Sequence, residues 1–269
     1  MPELPEVQTV ANHIRPDLIG KDIIGIEPLW TKTLDNFSPD DLIGKHKIIN
    51  VTRRAKFIII ELEDFILAIH LRMTGKLYFL KEDTLPKHAR VVFYLENSPD
   101  LIFEDTRKFG RIYLYKDLSV INNRHGPEPL GGKFTSEWLL ENLKMKKRNI
   151  KSLLLDQSFI SGLGNIYVDE SLWESGIHPN SISCAIPKTK ISRLHSAIQS
   201  ILEESIKQLG TTFNSFSFLN GQSGNYSNEL KIFGRGNMPC LKCGNKINKI
   251  RVSGRGTHVC NKCQKKYLK

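Results

Sequence analysis

The chain has 269 residues, 40% of them hydrophobic, so it can bury a core and form two domains with a small appendage. No stretch reaches the roughly 18 consecutive apolar residues of a membrane span, and the start MPELPEVQTV lacks the basic and apolar segments of a signal peptide. We therefore expect neither a membrane-spanning helix nor secretion, but a globular protein of the cytoplasm.

The net charge of +11 is concentrated at one end of the chain. Residues 231–269 hold 11 Lys and Arg and no Asp or Glu, so the preceding residues are neutral overall. A basic segment of this kind favours a polyanionic partner with a phosphate backbone. A tail that is merely solvated is the alternative, but this segment also contains signals of ordered structure.

The pattern of predicted elements changes along the chain. Apolar residues at helical spacing behind two prolines predict a short amphipathic helix over residues 3–14. From about Lys21 to Tyr115, short β-rich runs separated by turn residues are typical of a β-sandwich. After the linker 126–132 the periodicity becomes helical, which predicts helices at Glu137–Met145, Ile150–Asp156, Asn165–Glu174 and Ile191–Leu209.

These elements predict an α+β protein in three parts. The N-terminal helix and β-sandwich occupy residues 1–130, a helical domain occupies 131–232, and a cysteine-containing segment occupies 233–269. The Gly-, Ser-, Asn- and Phe-rich stretch from 210 to 236, which ends the second part and begins the third, has weak periodicity, which is typical of a mobile loop.

Four cysteines near the C-terminus form two CxxC pairs. Cys240 and Cys243 are separated by sixteen residues from Cys260 and Cys263, a spacing suited to a tetrahedral four-thiolate Zn²⁺ site on a β-hairpin. Disulfides are the alternative, but a short segment with few large apolar side chains needs a metal to fold. Four thiolates leave no open position for water, so we expect one structural zinc ion.

Seven segments in order along the chain resemble formamidopyrimidine-DNA glycosylase. They are PELPEV at 2–7, RRAKF at 53–57, HLRMTG at 70–75, DTRKFG at 105–110, GPEPL at 126–130, DQSFISGLGNIYVDE at 156–170 and the zinc ribbon. The resemblance implies a β-sandwich, a helix-two-turn-helix element and a zinc ribbon, and a bifunctional glycosylase and lyase that acts on oxidised purines in double-stranded DNA as a monomer.

The resemblance implies that the nitrogen of Pro2 is the nucleophile. Met1 precedes a small residue, so we expect its removal to expose a secondary amine, whose pKa is about 8 against about 10.4 for lysine. Attack on the sugar C1′ then gives an iminium that has no N–H to lose. Glu3 is expected to move protons and Glu6 to support the site, whereas without the resemblance both would serve the helix dipole.

The resemblance also assigns residues that act on the sugar and phosphates. Lys56 assists β-elimination and Arg255, in the expected hairpin tip 254–257, assists δ-elimination; by residue type alone both are ordinary phosphate-binding residues. Further DNA contacts are expected from His88, from Asn165 at a helix start behind a Gly-rich turn, and from Lys146 and Lys151 in a basic run. A solvated face is the alternative for that run.

Excision requires the damaged base to be flipped out of the duplex, which leaves a gap beside the unpaired base. Met73, Arg107 and Phe109 match the family's intercalating residues: an apolar wedge, a guanidinium for the orphaned base and an aromatic ring that kinks the stack. As isolated residues, Met73 and Phe109 would be assigned to a core.

The chain departs from the family's usual residues at Gln8, Ala55, Ser161 and Phe233. The resemblance is weakest at 211–227, the capping loop, which in relatives closes over the flipped base. The alternative within the enzyme class is the endonuclease VIII type, which prefers oxidised pyrimidines. A non-catalytic zinc-ribbon DNA-binding protein is the alternative outside it, but it predicts the loss of Pro2, Glu3 or Lys56, which are all present.

Overall fold

A computed structural model describes residues 1–81, 84–211 and 224–268. The chain divides into two compact units, Met1–Asn123 with Leu209–Asn225 and Arg124–Gln208 with Tyr226–Lys269. Residues 212–223, which make up most of the predicted capping loop, lie outside the described residues. The three-part division at 1–130, 131–232 and 233–269 stays a prediction.

The first unit begins with helix α1, Leu4–Leu18. Glu3 is its N-cap and forms a reciprocal capping box with Glu6, while a proline in the first turn favours the start of the helix. The helix is longer than the predicted 3–14 because its apolar face continues: Ile14 and Leu18 are both fully buried.

Eight antiparallel strands form the body of the first unit, in the spatial order β5-β7-β6-β1-β2-β3-β4-β8. The strands are β1 Asp22–Pro28, β2 His46–Arg54, β3 Phe57–Leu62, β4 Ile66–His70, β5 Gly75–Phe79, β6 Ala89–Leu95, β7 Leu101–Asp105 and β8 Arg111–Tyr115. Strands β1 and β2 share only the pairs Asp22 with Lys47 and Ile23 with His46. This short pairing joins two four-stranded halves.

One hydrophobic core contains residues from both halves and from α1, including Ile60 of β3 and Phe103 of β7. The outer faces carry separate clusters, around Ile59 and Ala68 on one half and around Val92 and Ile102 on the other. Neighbouring residues on a strand point to opposite faces, so the alternation along β3 places Ile60 inward and Ile59 outward. The predicted β-sandwich is confirmed.

The second unit is mainly helical. Its helices are α3 Ser136–Lys144, α4 Ile150–Leu154, α5 Asn165–Ser175 and α6 Lys188–Lys207, and the short α2, Ser119–Arg124, ends at the boundary of the two units. Helix α5 is buried on nearly every side, whereas α6 buries a single apolar stripe. The predicted helix over 150–156 ends earlier because Asp156 accepts hydrogen bonds from the backbone and hydroxyl of Ser158, which favours a turn.

The C-terminal part of the second unit contains the hairpin of β9, Asn248–Val252, and β10, Arg255–Val259. Ser253 and Gly254 connect the strands and both have positive φ, at 50° and 77°, as a two-residue hairpin turn requires. The tip is therefore formed by residues 253–254 and not by the expected 254–257, and Arg255 is the first residue of β10. Among the described residues, no helix is long and apolar enough to cross a membrane.

The placement of the sandwich core predicts which substitutions lower the free energy of unfolding. Ile60→Ala, at a fully buried position, should lower the free energy of unfolding by about 2–5 kcal/mol because it opens a cavity. Ile49→Ala on β2, where the side chain is 50% exposed, should change it by no more than about 0.5 kcal/mol. Urea denaturation compares the two variants, and equal effects would contradict the placement of the core.

Candidate active site and nucleic-acid interface

The start of the chain is buried in the first unit, together with its acidic residues. Pro2 is buried, and Glu3 and Glu6 are only 3% and 2% exposed. The Glu6 Oε2 atom accepts a hydrogen bond of 2.8 Å from the Glu3 backbone N–H. This bond sets the angle at which the chain enters α1, so the position of Pro2 is fixed relative to both carboxylates.

Glu6 also binds a distant segment of the same unit. Its Oε1 atom accepts hydrogen bonds from the Thr211 backbone N–H at 2.8 Å and from the Thr211 hydroxyl at 2.9 Å. Gly210 precedes Thr211 with φ 78°, and a Cβ there would lie 2.9 Å from Glu6 Oε1, so only glycine fits this approach. The carboxylate therefore ties the residue before the predicted capping loop to the chain start.

The pKa of the Met1 α-amine reflects the charged groups around the chain start. Burial lowers the pKa of this amine, Glu3 and Glu6 raise it, and Lys56 and Arg107 lower it. Four side chains from separate parts of the unit thus act on one point, next to Pro2. A free amine on Pro2, once Met1 is removed, would be placed in the same electrostatic environment.

Lys56 lies in the turn between β2 and β3 and is only 5% exposed. The preceding Ala55 has φ 53°, in the left-handed region that favours glycine. The turn is held by Arg53, whose guanidinium donates to the Ala55 carbonyl at 2.8 Å and to the Gln8 side chain at 2.9 Å. Gln8 therefore connects α1 to the turn that carries Lys56.

The three predicted intercalating residues lie on two loops of the first unit. Met73 is in the loop between β4 and β5, and Arg107 and Phe109 are in the loop between β7 and β8. Phe109 is 49% exposed, and the Arg107 guanidinium carbon lies 4.8 Å from the centre of its ring. These positions are not in the core, so the alternative assignment of Phe109 to a core does not hold.

The buried Asp105 organises both loops. Its carboxylate accepts hydrogen bonds from the Arg107 N–H at 3.1 Å and the Gly110 N–H at 2.8 Å, and also from the Thr74 hydroxyl. Its own N–H donates to the His88 carbonyl at 3.0 Å, so the expected phosphate contact at His88 is connected to the same residue. One carboxylate that is 1% exposed therefore sets the positions of the Met73, Arg107 and Phe109 loops.

In the second unit, Arg255 is exposed at the start of β10, directly after the hairpin turn. Asn165 begins α5, and its side-chain N–H donates to the Gly256 carbonyl at 3.0 Å. Lys146 is half-buried on the connection before α4. The structure thus places Asn165 beside Arg255.

Lys151 requires a correction to the sequence-based expectation. We expected it to contact a phosphate as part of a basic run, but its side chain is completely buried and forms a 2.5 Å ion pair with Asp169. A helix turns by about 100° per residue, so a run of basic residues that continues into α4 cannot stay on one face. Lys151 points inward and its partners are protein atoms.

The four cysteines meet at one point, as the CxxC spacing predicts. All four Sγ atoms lie within 4.8 Å of one another, with Cys240 and Cys263 at 3.8 Å and Cys243 and Cys260 at 3.5 Å. A zinc ion about 2.3 Å from each sulfur requires separations of about 3.8 Å, so the donor set fits tetrahedral Zn²⁺. None of the four is in a disulfide, and the Trp173 indole N–H faces Cys240 Sγ at 3.4 Å.

Three protein-family models match successive segments of the chain. Residues 1–112 match the formamidopyrimidine-DNA glycosylase N-terminal domain, residues 125–217 its H2TH domain, and residues 239–266 the zinc finger found in FPG and IleRS. The chain belongs to the formamidopyrimidine-DNA glycosylase family. The predicted family, fold class and zinc cofactor are therefore confirmed.

Individual relatives and structures agree with this assignment. A formamidopyrimidine-DNA glycosylase of Protochlamydia amoebophila is 43% identical and covers 90% of this chain and 92% of its own. A Lactococcus lactis FPG variant in complex with Fapy-dG DNA is 37% identical, with a TM-score of 0.91 over 98% of this chain and 100% of that chain. The MutM protein of Thermus thermophilus is 32% identical, with a TM-score of 0.89 over 99% and 100% of the two chains.

Sequence reasoning missed the buried residues that hold the exposed ones. Asp105 lies in the DTRKFG segment but was not singled out, and Thr211 lies at the edge of the capping loop. The sequence gives only a weak signal for such residues, because an acidic or hydroxyl side chain at the end of a strand or helix is common. The role of each residue becomes clear only from its hydrogen-bond partners in the folded structure.

Removal of the Asp105 carboxylate should uncouple the intercalating loops. We expect Asp105→Ala to reduce affinity for a duplex with an abasic-site analogue about ten-fold or more, because three charge-assisted hydrogen bonds are lost. Glu104→Ala, which removes the neighbouring acid bound to Tyr78, is the matched control and should bind normally. Fluorescence anisotropy measures both, and normal binding by Asp105→Ala would contradict this role.

Zinc removal should unfold the hairpin. The cluster behind the cysteines contains few apolar side chains, among them Trp173, Ile232 and Ile247, so without metal it cannot stabilise β9 and β10. A zinc chelator should release one equivalent of Zn²⁺, lower duplex affinity about ten-fold or more, and leave helical circular dichroism largely unchanged. Full duplex affinity in metal-free protein would contradict a structural zinc.

Proposed function

We propose that the protein is a bifunctional DNA glycosylase and AP lyase of base excision repair that removes 8-oxoguanine and formamidopyrimidines from double-stranded DNA. The observation that supports this proposal is that Pro2, Glu3, Glu6 and Lys56 are all buried in the first unit, and that the three charged groups all act on the pKa of the amine next to Pro2. A nucleophilic amine needs a neighbouring proton carrier and a group for the phosphate. This set supplies all three.

The chemistry follows from the amine at the chain start. The free Pro2 nitrogen attacks C1′ of the damaged nucleotide as the bond between C1′ and the base breaks, and the electron pair leaves with the base. The attached nitrogen loses its proton, and its lone pair then forms the double bond of a cationic iminium with C1′ as the C1′–O4′ bond breaks and O4′ takes up a proton to become the C4′ hydroxyl. Glu3 carries protons during base loss and ring opening. Glu6 fixes the positions of Glu3 and Pro2 through the 2.8 Å bond that it accepts from the Glu3 N–H.

The iminium makes strand cleavage possible. It withdraws electrons, so the proton on C2′ becomes acidic, and loss of this proton breaks the C3′–O bond and releases the 3′ phosphate. Lys56, close enough to lower the pKa of the amine at the chain start, supports this β-elimination with its positive charge. We assign Arg255 to the following δ-elimination at the 5′ phosphate.

Access to the base depends on the exposed loops of the first unit. Met73 and Phe109 offer apolar surface to fill the gap in the stack, and Arg107 offers N–H donors to the orphaned base. In the second unit, Asn165, Lys146 and Arg255 contact the backbone, together with His88 of the first unit. Solved structures that resemble this chain contain Fapy-dG or carbocyclic 8-oxo-G in their DNA, which supports the choice of lesion.

The remaining proposals concern context. We infer that the enzyme acts as a monomer in the cytoplasm, with a catalytic domain at 1–130, a helical DNA-binding domain at 131–232 and a zinc ribbon at 233–269. Every residue assigned to the proposed chemistry belongs to this one chain, so a single chain suffices for it. Removal of oxidised pyrimidines in the manner of endonuclease VIII is the competing substrate class.

The first experiment is borohydride trapping on a duplex with 8-oxoguanine opposite cytosine. The wild type should give a covalent adduct that mass spectrometry maps to Pro2, and a duplex with an oxidised pyrimidine should give far less. Glu3→Gln should lower adduct formation on the 8-oxoguanine duplex about 100-fold or more, yet still form the adduct on a duplex with a preformed abasic site, because there the base is already lost and the sugar opens to its aldehyde in solution.

The outcomes separate the candidates. An adduct confined to the pyrimidine duplex would move the protein to the endonuclease VIII type. No adduct on any duplex, with the N-terminus free and zinc bound, would show that the protein is not a lyase.

A further inference from the structure

Lys151 and Asp169 form a fully buried ion pair that the proposed chemistry does not use. Lys151 is in α4 and Asp169 is in α5, both side chains are 0% exposed, and the Lys151 Nζ atom lies 2.5 Å from Asp169 Oδ1. Burying two charges is costly unless further hydrogen bonds complete their coordination. The remaining partners of both groups therefore indicate what the pair holds.

Those partners belong to the strand that begins with Arg255. The Lys151 ammonium donates to the Thr257 hydroxyl at 2.7 Å and lies 3.4 Å from the Gly256 carbonyl oxygen. The other carboxylate oxygen, Asp169 Oδ2, accepts the His258 backbone N–H at 3.0 Å. The ion pair thus binds three consecutive residues directly after Arg255.

A further hydrogen bond connects this network to the backbone of Arg255 itself. The Thr257 hydroxyl, which accepts from Lys151, donates to the Arg255 carbonyl at 3.0 Å. The Asn165 amide also donates to the Gly256 carbonyl at 3.0 Å. The backbone of Arg255 is therefore fixed by α4 and α5, while its side chain remains exposed.

Directional bonds are suited to this task. An apolar contact is non-directional and would let a two-stranded hairpin slide or tilt over the helices. Charge-assisted hydrogen bonds fix both the distance and the orientation of the strand. Because the cysteines hold only the far end of the hairpin, a second point of attachment near the tip is needed to aim Arg255.

We propose that Lys151 and Asp169 are positioning residues that aim Arg255 at the 5′ phosphate and thereby set the efficiency of δ-elimination. This inference rests on the proposed lyase function. In that step the C4′ proton is removed, the C5′–O bond breaks, and the electron pair leaves on the 5′ phosphate, whose negative charge the Arg255 guanidinium stabilises. The groups assigned to bond breaking in base excision and β-elimination all belong to the first unit, so once the DNA is bound these steps do not require this alignment.

The test measures the ratio of δ- to β-elimination products on a duplex with a preformed abasic site. Asp169→Asn should lower this ratio about ten-fold, since a misplacement of about 1 Å at a reacting group has effects of this order or larger. Thr257→Val keeps the shape of the side chain and leaves the ion pair intact, and should lower the ratio about three-fold. In both variants the yield of borohydride-trapped Pro2 should stay within about two-fold of wild type.

Glu174→Gln is the matched control. Glu174 is on the same helix as Asp169 and pairs with Lys242 of the first CxxC pair at 3.0 Å, so it also joins α5 to the zinc module. It is remote in sequence from the hairpin tip, and the product ratio should remain that of wild type. Zinc content and thermal unfolding are measured for each protein, and if Asp169→Asn does not fold, Thr257→Val decides alone.

An unchanged ratio in folded, zinc-bound variants would overturn this inference and leave the proposed function intact. A proportional fall in both elimination steps would also overturn it, because a general structural role affects both. If the wild type gives neither trapped adduct nor strand cleavage, the proposed function fails first and this inference fails with it.

Discussion

The Glu6 carboxylate is the interaction on which the candidate active site depends. One of its oxygens binds the Glu3 N–H at the entry to α1, and the other binds Thr211, more than two hundred residues later in the chain. Both oxygens are therefore occupied by protein donors in a site that water hardly reaches. A chain terminus is normally free to move, and here this carboxylate converts it into a fixed point to which chemistry can be assigned.

The same arrangement recurs elsewhere in the molecule. Asp105 binds the backbone of the loop that carries Arg107 and Phe109, and Asp169 binds the backbone of the strand that begins with Arg255. In each case a buried carboxylate accepts N–H groups from an exposed segment. Hydrogen bonds to a charged acceptor contribute about 1.5–3 kcal/mol each. The exposed residues that we propose to contact DNA are thus positioned through their backbone by buried acids, and their own side chains remain exposed.

The zinc module is stabilised in a different way because it is too small to fold stably on its own. Its hairpin has two strands of five residues each, and a hairpin of this size is marginal in water. The cysteines secure one end and the Lys151–Asp169 pair secures the other. Nearly all the excess positive charge of the protein lies in this segment, so the charge that attracts a phosphate backbone is carried by the part most dependent on external support.

The sequence by itself determined the family, the α+β class, the zinc ligands and the β-sandwich, because contiguous motifs, CxxC spacing and periodicity are local properties. Helix ends were predicted less well, since Asp156 and the continued burial of Ile14 and Leu18 decide them. Only the tertiary structure showed that Lys151 points inward to Asp169, and that Asp105 and Glu6 join segments remote in sequence. The physical reason is that the direction of a side chain and the partner of a buried charge depend on groups brought together only when the chain folds.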